Sequence, residues 1–495
     1  MTDAPGPGRA SLVAAVLALA AVVLTNASPL LPGLHSDGIH YLESARALGR
    51  LDAPTLPIGS WERADSASLL AHYPPGFPMT MAPLTAAGVS PPLAAVVVMA
   101  LSAAVTLALA ATLAGIAGGG AAGAWIALVL VGASPGWLRL HTAVWSEPLY
   151  LALLALTLLV MVRSPDRGGV HGVLGLACTA VRYVGLSVVA AAVLLAWSRG
   201  GAPVQRLKRS VRAAGPALLF LIGWQAIVGA DGEAVRSLAL YPGLGRWLAA
   251  LPGSALASAA PAGGAWAGGV VILGAVTLVA RSGLWRADGT GDGEAAAWRR
   301  LVGLATAVSL LHLGVMVAAR GLADPRIPTD ARMLAPVLLL GGIACAAALG
   351  HAARSQRARA TAVAVVVSGW AVVSGAGIVR GVRSVQAEGQ FYTSTFWFRS
   401  TLIGWAREHA STGPLPYSTE PELLYLHTGR PARRLPRAGA DLEAFREAWR
   451  SRPGPVVLVN PPHPGDLPAA AILDGLELEP VLAAPEGVVW WRPPG

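Results

Sequence analysis

The chain has 495 residues, of which 54% are hydrophobic and only 13% charged, with a mean hydropathy of +0.56 and a formal net charge of +10. Soluble domains carry about 25% charged residues, and apolar runs here reach the roughly 20 residues that a membrane-crossing helix needs, so the composition excludes an ordinary soluble protein and predicts a polytopic α-helical membrane protein. The positive charge does not mark a nucleic-acid binder, because the arginines cluster in short segments between apolar runs, as the positive-inside rule expects.

The apolar run 10–31 is too long for the hydrophobic part of a cleavable signal and reads as a first transmembrane helix. The first long polar stretch follows, 34–78, with Asp37, Glu43, Asp52, Glu62 and Asp65 among Arg46, Arg50 and Arg63. It closes on His72-Tyr73-Pro74-Pro75-Gly76-Phe77-Pro78. The segment 77–89 is too short to cross a bilayer and is broken by Pro78 and Pro83, so it reads as interfacial or re-entrant. Spans then fit 92–115, 119–134 and 143–162. The stretch 170–197 is long for one helix and short for two, and Arg182-Tyr183 interrupts it. Later spans fit 213–230, 263–281, 299–319, 332–350 and 359–380, for about 10–12 spans or half-spans in all. Cys178 and Cys345 both sit in apolar segments, with neither disulfide nor metal-ligand spacing, and read as small core residues.

Three basic segments set the orientation: Arg199 to Arg212, the arginines at 281, 286, 299 and 300, and Arg354 with Arg357 and Arg359. Placing all three in the cytoplasm puts 34–78, 135–142, 324–330 and everything after Arg383 outside. The stretch 170–197 must then enter the membrane and return, with Arg182 at the turn. An arginine within a membrane segment is costly unless it faces a cavity or a partner. From about residue 391 the composition changes. The aromatic segment 390–398 suits a membrane interface. Helices are expected at 395–409, 420–427 and 440–450, with buried strands at 456–460 and 488–492. The division is therefore 1–390 as a transmembrane unit and 391–495 as a small α/β domain outside.

Six local patterns, in order along the chain, resemble one family. They are Ser36-Asp37 running to Tyr41-Leu42 and Ala45; His72-Tyr73-Pro74-Pro75-Gly76-Phe77-Pro78; Trp145-Ser146-Glu147-Pro148-Leu149-Tyr150; Thr179-Ala180-Val181-Arg182-Tyr183; Asp330-Ala331-Arg332-Met333-Leu334-Ala335-Pro336; and the segment 417–430 from Tyr417-Ser418 to Thr428-Gly429-Arg430. The set is similar to the bacterial branch of the GT-C glycosyltransferases, which include protein O-mannosyltransferases, aminoarabinose transferases and oligosaccharyltransferases. The resemblance implies inverting transfer of a sugar from a polyprenyl-phosphate carrier to a cell-envelope acceptor, at the outer face of a bacterial inner membrane. That acceptor is a glycolipid, a polysaccharide or a protein. The chain departs from many relatives in having Gly38 where they carry a second acid after the loop aspartate.

A phosphate leaving group is already a weak base, so such a reaction needs no general acid, unlike the paired carboxyls of glycoside hydrolases. One carboxylate, Asp37, is enough to take the acceptor's proton; alternatively it holds a divalent cation, Mg or Mn, that screens the phosphate. Arg182 and Arg332 suit phosphate oxygens through their planar forks. His72, Tyr73, Glu147 and Tyr183 complete the expected substrate site. Each residue also has a plainer reading. Asp37 caps the helix 38–49; Glu43 pairs with Arg46 or Arg50; Glu147 answers a helix dipole; Arg182 snorkels; Arg332 anchors a span; and 417–430 is a fold element. His40 and His141 read as interfacial. Two rival functions remain: a flippase for lipid-linked sugars, expected to show inverted repeats with matching broken helices, and an envelope-assembly scaffold.

Overall fold

The computed structural model describes residues 7–62, 68–70, 72–230, 243–259, 293–322, 327–409, 413–437, 439–462 and 466–492. The expected span 263–281 lies outside the described residues, as do Arg281 and Arg286.

Helix α1 (Pro7–Thr25) is an unbroken run of Ala, Val and Leu between Ser11 and Thr25. It stops short of the expected residue 31. The Asn26 amide donates to the Val22 and His141 carbonyls, both at 2.8 Å, and prolines 29 and 32 cannot continue the helix. Two short helices, α2 (Ser36–Gly49) and α3 (Gly76–Ala86), come next. At 11 residues α3 is about 16 Å long, half a bilayer core, as expected for 77–89. Helix α4 (Pro91–Ala114) and α5 (Gly120–Ala127) belong to one apolar stretch of 42 residues, Pro91–Gly132. The chain doubles back within it at Ala117 and Gly118, where φ is −84° and 95°. Gly118 supplies the left-handed conformation that the turn requires. The return leg brings Gly132 so close to Leu107 that an added Cβ would lie 2.8 Å from its Cδ1. The stretch is therefore two legs, at the places of the separate expectations for 92–115 and 119–134.

After a short α6 (Pro135–Arg139), α7 (Glu147–Arg163) crosses back. The awkward stretch 170–197 resolves into α8 (Gly168–Val181), a single turn Tyr183–Gly185, and α9 (Leu186–Ser198). With 14 and 13 residues these are two half-helices of about 20 Å, folded against each other with Arg182 at their junction. The junction is tight: a Cβ on Gly185 would stand 2.4 Å from the Cys178 carbonyl carbon. Then come α10 (Pro203–Ala230), α11 (Leu244–Ala259), α12 (Gly293–Leu322), α13 (Ala331–Ser355) and α14 (Arg357–Glu388). The basic segment from Arg206 to Arg212 is the first turns of α10 and not a loop. Among the described residues six helical stretches are long and apolar enough to cross a membrane, and the chain is a multi-pass membrane protein.

The loops sort to two ends of the bundle. At one end Arg199 pairs with Asp166, Arg300 donates to the Val162 carbonyl at 3.0 Å, and Arg354 donates to the Gly118 carbonyl. At the other, Gly33 bridges to Ala143, Leu34 bridges to Phe391, and Arg332 reaches Asp37. The segments that charge placed together outside do lie together.

Beyond α14 the chain forms short helices α15 (Thr395–Phe398), α16 (Thr401–His409), α17 (Pro421–Thr428), α18 (Leu442–Ser451) and α19 (Ala469–Leu473). The single helix expected at 395–409 is split. Ser400 turns out of line, its hydroxyl accepting from Ile403 N at 3.2 Å and donating to Glu486 at 2.7 Å. The strands β1 (Thr55–Leu56) and β3 (Ser68–Leu69) pair within the first outer loop. A six-stranded sheet has the order β2-β5-β4-β6-β8-β7. It contains β2 (Ile58–Ser60), β4 (Tyr417–Ser418), β5 (Ala432–Arg434), β6 (Val456–Val459), β7 (Glu479–Ala484) and β8 (Gly487–Trp491). The pairs from β2 to β6 are parallel and the last two antiparallel. Its edge strand β2 comes from the loop 34–78, and Trp61 from that loop packs with Tyr417, Phe445 and Ile472. The loop 34–78 and the C-terminal region thus share one sheet and one core.

Candidate active site

Helix α2 begins with His35 at the N-cap, and Asp37 sits in its first turn, where the helix dipole favours a negative charge. The Asp37 carboxylate makes no capping bond. Instead Tyr73 donates its hydroxyl to Oδ1 at 2.6 Å, and Arg332 donates Nη2 to Oδ2 at 2.7 Å. Ser36 donates to Oδ1 at 3.3 Å, and His35 Nδ1 lies 3.8 Å away. Burial by itself would raise the carboxyl's pKa. The Arg332 guanidinium, helped by His35 and the Tyr73 hydroxyl, outweighs that and holds it well below the usual range. Burial and the Asp37 charge push the Tyr73 hydroxyl the other way, so it stays a donor.

Arg332 is aimed by the start of α13. Asp330 is the N-cap there, accepting from Arg332 N and Met333 N at 3.1 and 3.2 Å, which leaves the Arg332 side chain to project from the first turn. Its guanidinium lies 4.5 Å over the Trp145 ring, a cation–π contact, and donates Nε to Glu147 Oε1 at 2.9 Å. Arg182 reaches the same oxygen with Nη1 at 2.7 Å and donates to Ser146 Oγ at 3.1 Å. Arg182 points here because the α8–α9 junction puts it in an extended conformation, φ −150° and ψ 133°, between helices that would otherwise carry it round.

Asp37, Arg332, Glu147 and Arg182 therefore form a row of alternating charge with no net charge, drawn from four separate parts of the chain. Their side chains are 12%, 13%, 3% and 18% exposed. Such a row is held by its own balance, since removing one member of a buried pair costs about 3–5 kcal/mol. His72 is exposed, with its ring 6.4 Å from that of Tyr73.

Of the expected site residues, Asp37, Tyr73, Glu147, Arg182 and Arg332 come together, and His72 stands beside them. The Tyr183 hydroxyl instead accepts from the Trp224 indole of α10 at 3.0 Å. Glu43 pairs with Arg46 at 2.6 Å, the plainer of its readings. His40 and His141, expected as interfacial, are both buried within the protein. Sequence reasoning passed over Tyr41, whose hydroxyl lies 3.2 Å from Ser146 Oγ, and Trp145 under Arg332. Both stand inside quoted motifs, and Tyr41 is one turn past Asp37 on the same helix face. Both carboxylates are already neutralised by guanidinium groups, and among the described residues no three His, Cys, Asp or Glu side chains cluster as ligands.

No family model matches the sequence, and no curated protein matches it. Solved structures do. ArnT from Cupriavidus metallidurans in the apo state is 14% identical with a TM-score of 0.59, over 97% of each chain. The same protein bound to undecaprenyl phosphate is 13% identical with a TM-score of 0.56, again over 97% of each. Arabinofuranosyltransferase AftD from Mycobacteria is 16% identical with a TM-score of 0.52, over 91% of this chain and 35% of its own. A bundle of long and broken helices capped at one end by an α/β layer, matched along nearly its whole length by ArnT, gives this chain the fold of the GT-C glycosyltransferases.

Proposed function

We propose that this protein is a membrane glycosyltransferase that moves a sugar from a polyprenyl-phosphate carrier to a hydroxyl of a cell-envelope acceptor, with inversion, at the outer face of a bacterial inner membrane. The row Asp37–Arg332–Glu147–Arg182 supports the reading, because in it an ionised carboxylate and two guanidinium groups stand side by side at the end of the bundle that meets the C-terminal region. The ArnT structure with undecaprenyl phosphate, on the same fold, supports the class of carrier.

In this reading the donor phosphate takes up guanidinium N–H groups of Arg182 and Arg332, which match its oxygens in a water-poor site. Asp37 faces the acceptor. The acceptor oxygen attacks the anomeric carbon from the side opposite the phosphate, the bond from that carbon to the phosphate oxygen breaks, and the proton passes to Asp37. Arg332 links the two events. As it turns towards phosphate it leaves Asp37, whose affinity for a proton rises because the main influence lowering it is gone. As the alternative reading of Asp37, its carboxylate would hold a divalent cation, Mg or Mn, that screens the donor phosphate, and loss of transfer on chelation would support it. Mass spectrometry of lipid co-purified with the protein tests the class directly. A polyprenyl-phosphate sugar is expected, and a bound carrier with no transfer to any envelope fraction would favour a flippase.

A further inference from the structure

The segment 417–430 has no part in the charge row, yet it meets the helix that bears Asp37. Glu422, in the first turn of α17, is fully buried and accepts from His40 Nε2 at 2.8 Å. Arg434, at the end of β5, donates to the same Glu422 oxygen. His40 lies three residues after Asp37, about one turn further along the same face of α2. Its ring stands 5.8 Å from that of Tyr73, the residue that donates to Asp37.

The first turn of α2 is gripped on its other side too. Tyr392 N donates to the Leu34 carbonyl at 2.9 Å, its ring stacks on His35 at 5.5 Å, and its hydroxyl donates to Glu420. The strand carrying Arg434 also pairs in register with β2 of the Asp37 loop, Arg434 opposite Ser60. The C-terminal region thus holds α2 at both ends of the Asp37 turn and the rest of its loop by an edge strand.

We infer that the buried His40–Glu422–Arg434 contact makes His40 and Glu422 positioning residues, through which the C-terminal domain fixes the height and angle of the Asp37 carboxylate. The chemistry needs such a fixed point. Asp37 must stay within hydrogen-bond reach of Arg332 and of an incoming hydroxyl, and a displacement of about 1 Å at a reacting group can cost 10²-fold in rate. Glu422, as a carboxylate, can only accept, so His40 Nε2 carries the proton, and Arg434 balances the buried charge. The hydrophobic packing of α2 on its neighbours holds the helix to the bundle, whereas this contact sets its orientation towards the domain above.

The inference rests on Asp37 acting as base, and the experiment separates the two. His40→Leu removes the donor, while His40→Gln keeps an N–H near the position of Nε2. Amide hydrogen exchange over 36–49, read in the full-length protein without substrate, should be at least about tenfold faster in His40→Leu and near wild type in His40→Gln. In the transfer assay, His40→Leu should lower kcat by about 10²-fold with donor KM within about threefold, and His40→Gln should recover most of it. Glu422→Gln, which keeps the side chain's shape, repeats the contrast should His40→Leu fail to fold. Unchanged exchange in His40→Leu, or a defect that His40→Gln does not repair, overturns the inference. A wild-type protein that transfers no sugar overturns the function proposed above but leaves the exchange contrast standing as the test of this contact.

Discussion

Asp37→Asn separates a base from a structural carboxylate, and the structure sets the size of each effect. The carboxylate makes no helix-capping bond, so nothing is lost at the backbone. The amide oxygen can keep facing Arg332 at the 2.7 Å of Oδ2, while the amide N–H₂ meets the Tyr73 hydroxyl, which can turn to accept. What disappears is one negative charge, leaving the row at net +1. Arg332 still has Glu147 at 2.9 Å, so the stability cost should be that of one charge-assisted hydrogen bond, about 1.5–3 kcal/mol, and not that of an orphaned buried charge. Loss of a general base costs about 10²–10⁴ in rate, or roughly 2.7–5.4 kcal/mol in the barrier. The assay is single-turnover transfer of labelled sugar from a synthetic polyprenyl-phosphate donor into an envelope fraction, with donor binding and thermal unfolding measured on the same sample. A fall of 10²-fold or more with binding retained is expected. Turnover within about threefold of wild type, in a folded variant, would refute Asp37 as the base and leave Glu147 as the next carboxylate to test.

Arg182→Lys keeps the charge beside Glu147 but cannot hold Glu147, Ser146 and a phosphate with one fork, so donor KM should rise about tenfold with smaller change in stability. Asp52→Cys and Glu479→Cys place exposed thiols in the first outer loop and on β7, and an impermeant maleimide should label both from outside the cell. Labelling of only one would contradict the shared outer side. The carboxyls of Asp37 and Glu422 are both held low, Asp37 chiefly by Arg332 and Glu422 by Arg434 and His40, against burial that would raise them. A depressed carboxyl stabilises the fold in full above the unfolded-state pKa and loses that contribution progressively as pH falls from there towards its lower folded-state pKa. The thermal midpoint in detergent should therefore hold from pH 7 to about 5 and drop below about 4. Glu422→Gln should start lower at pH 7 and lose less on acidification, and parallel curves would show that Glu422 is not part of the acid response.

The sequence by itself determined the membrane bundle, sorted its loops into two sets and marked most residues of the candidate site. Hydropathy is a local property, so spans such as α4 and α12 are readable from their own residues, and arginine-rich segments sort the loops without any tertiary contact. Asp37, Glu147, Arg182 and Arg332 were legible because each sits inside one of the six patterns that resemble a family, and Arg182 also because it interrupts an apolar stretch where a charge is costly. Only the tertiary structure decided their pairing. Asp37 and Arg332 are separated by 295 positions, and nothing local tells which carboxylate a guanidinium will choose. The same limit hid His40, which looks interfacial until Glu422 arrives from 382 residues away, and gave β2 to a sheet whose other strands begin at Tyr417. A three-residue strand carries too little pattern to announce itself; it is a strand because β5 presents an open edge beside it.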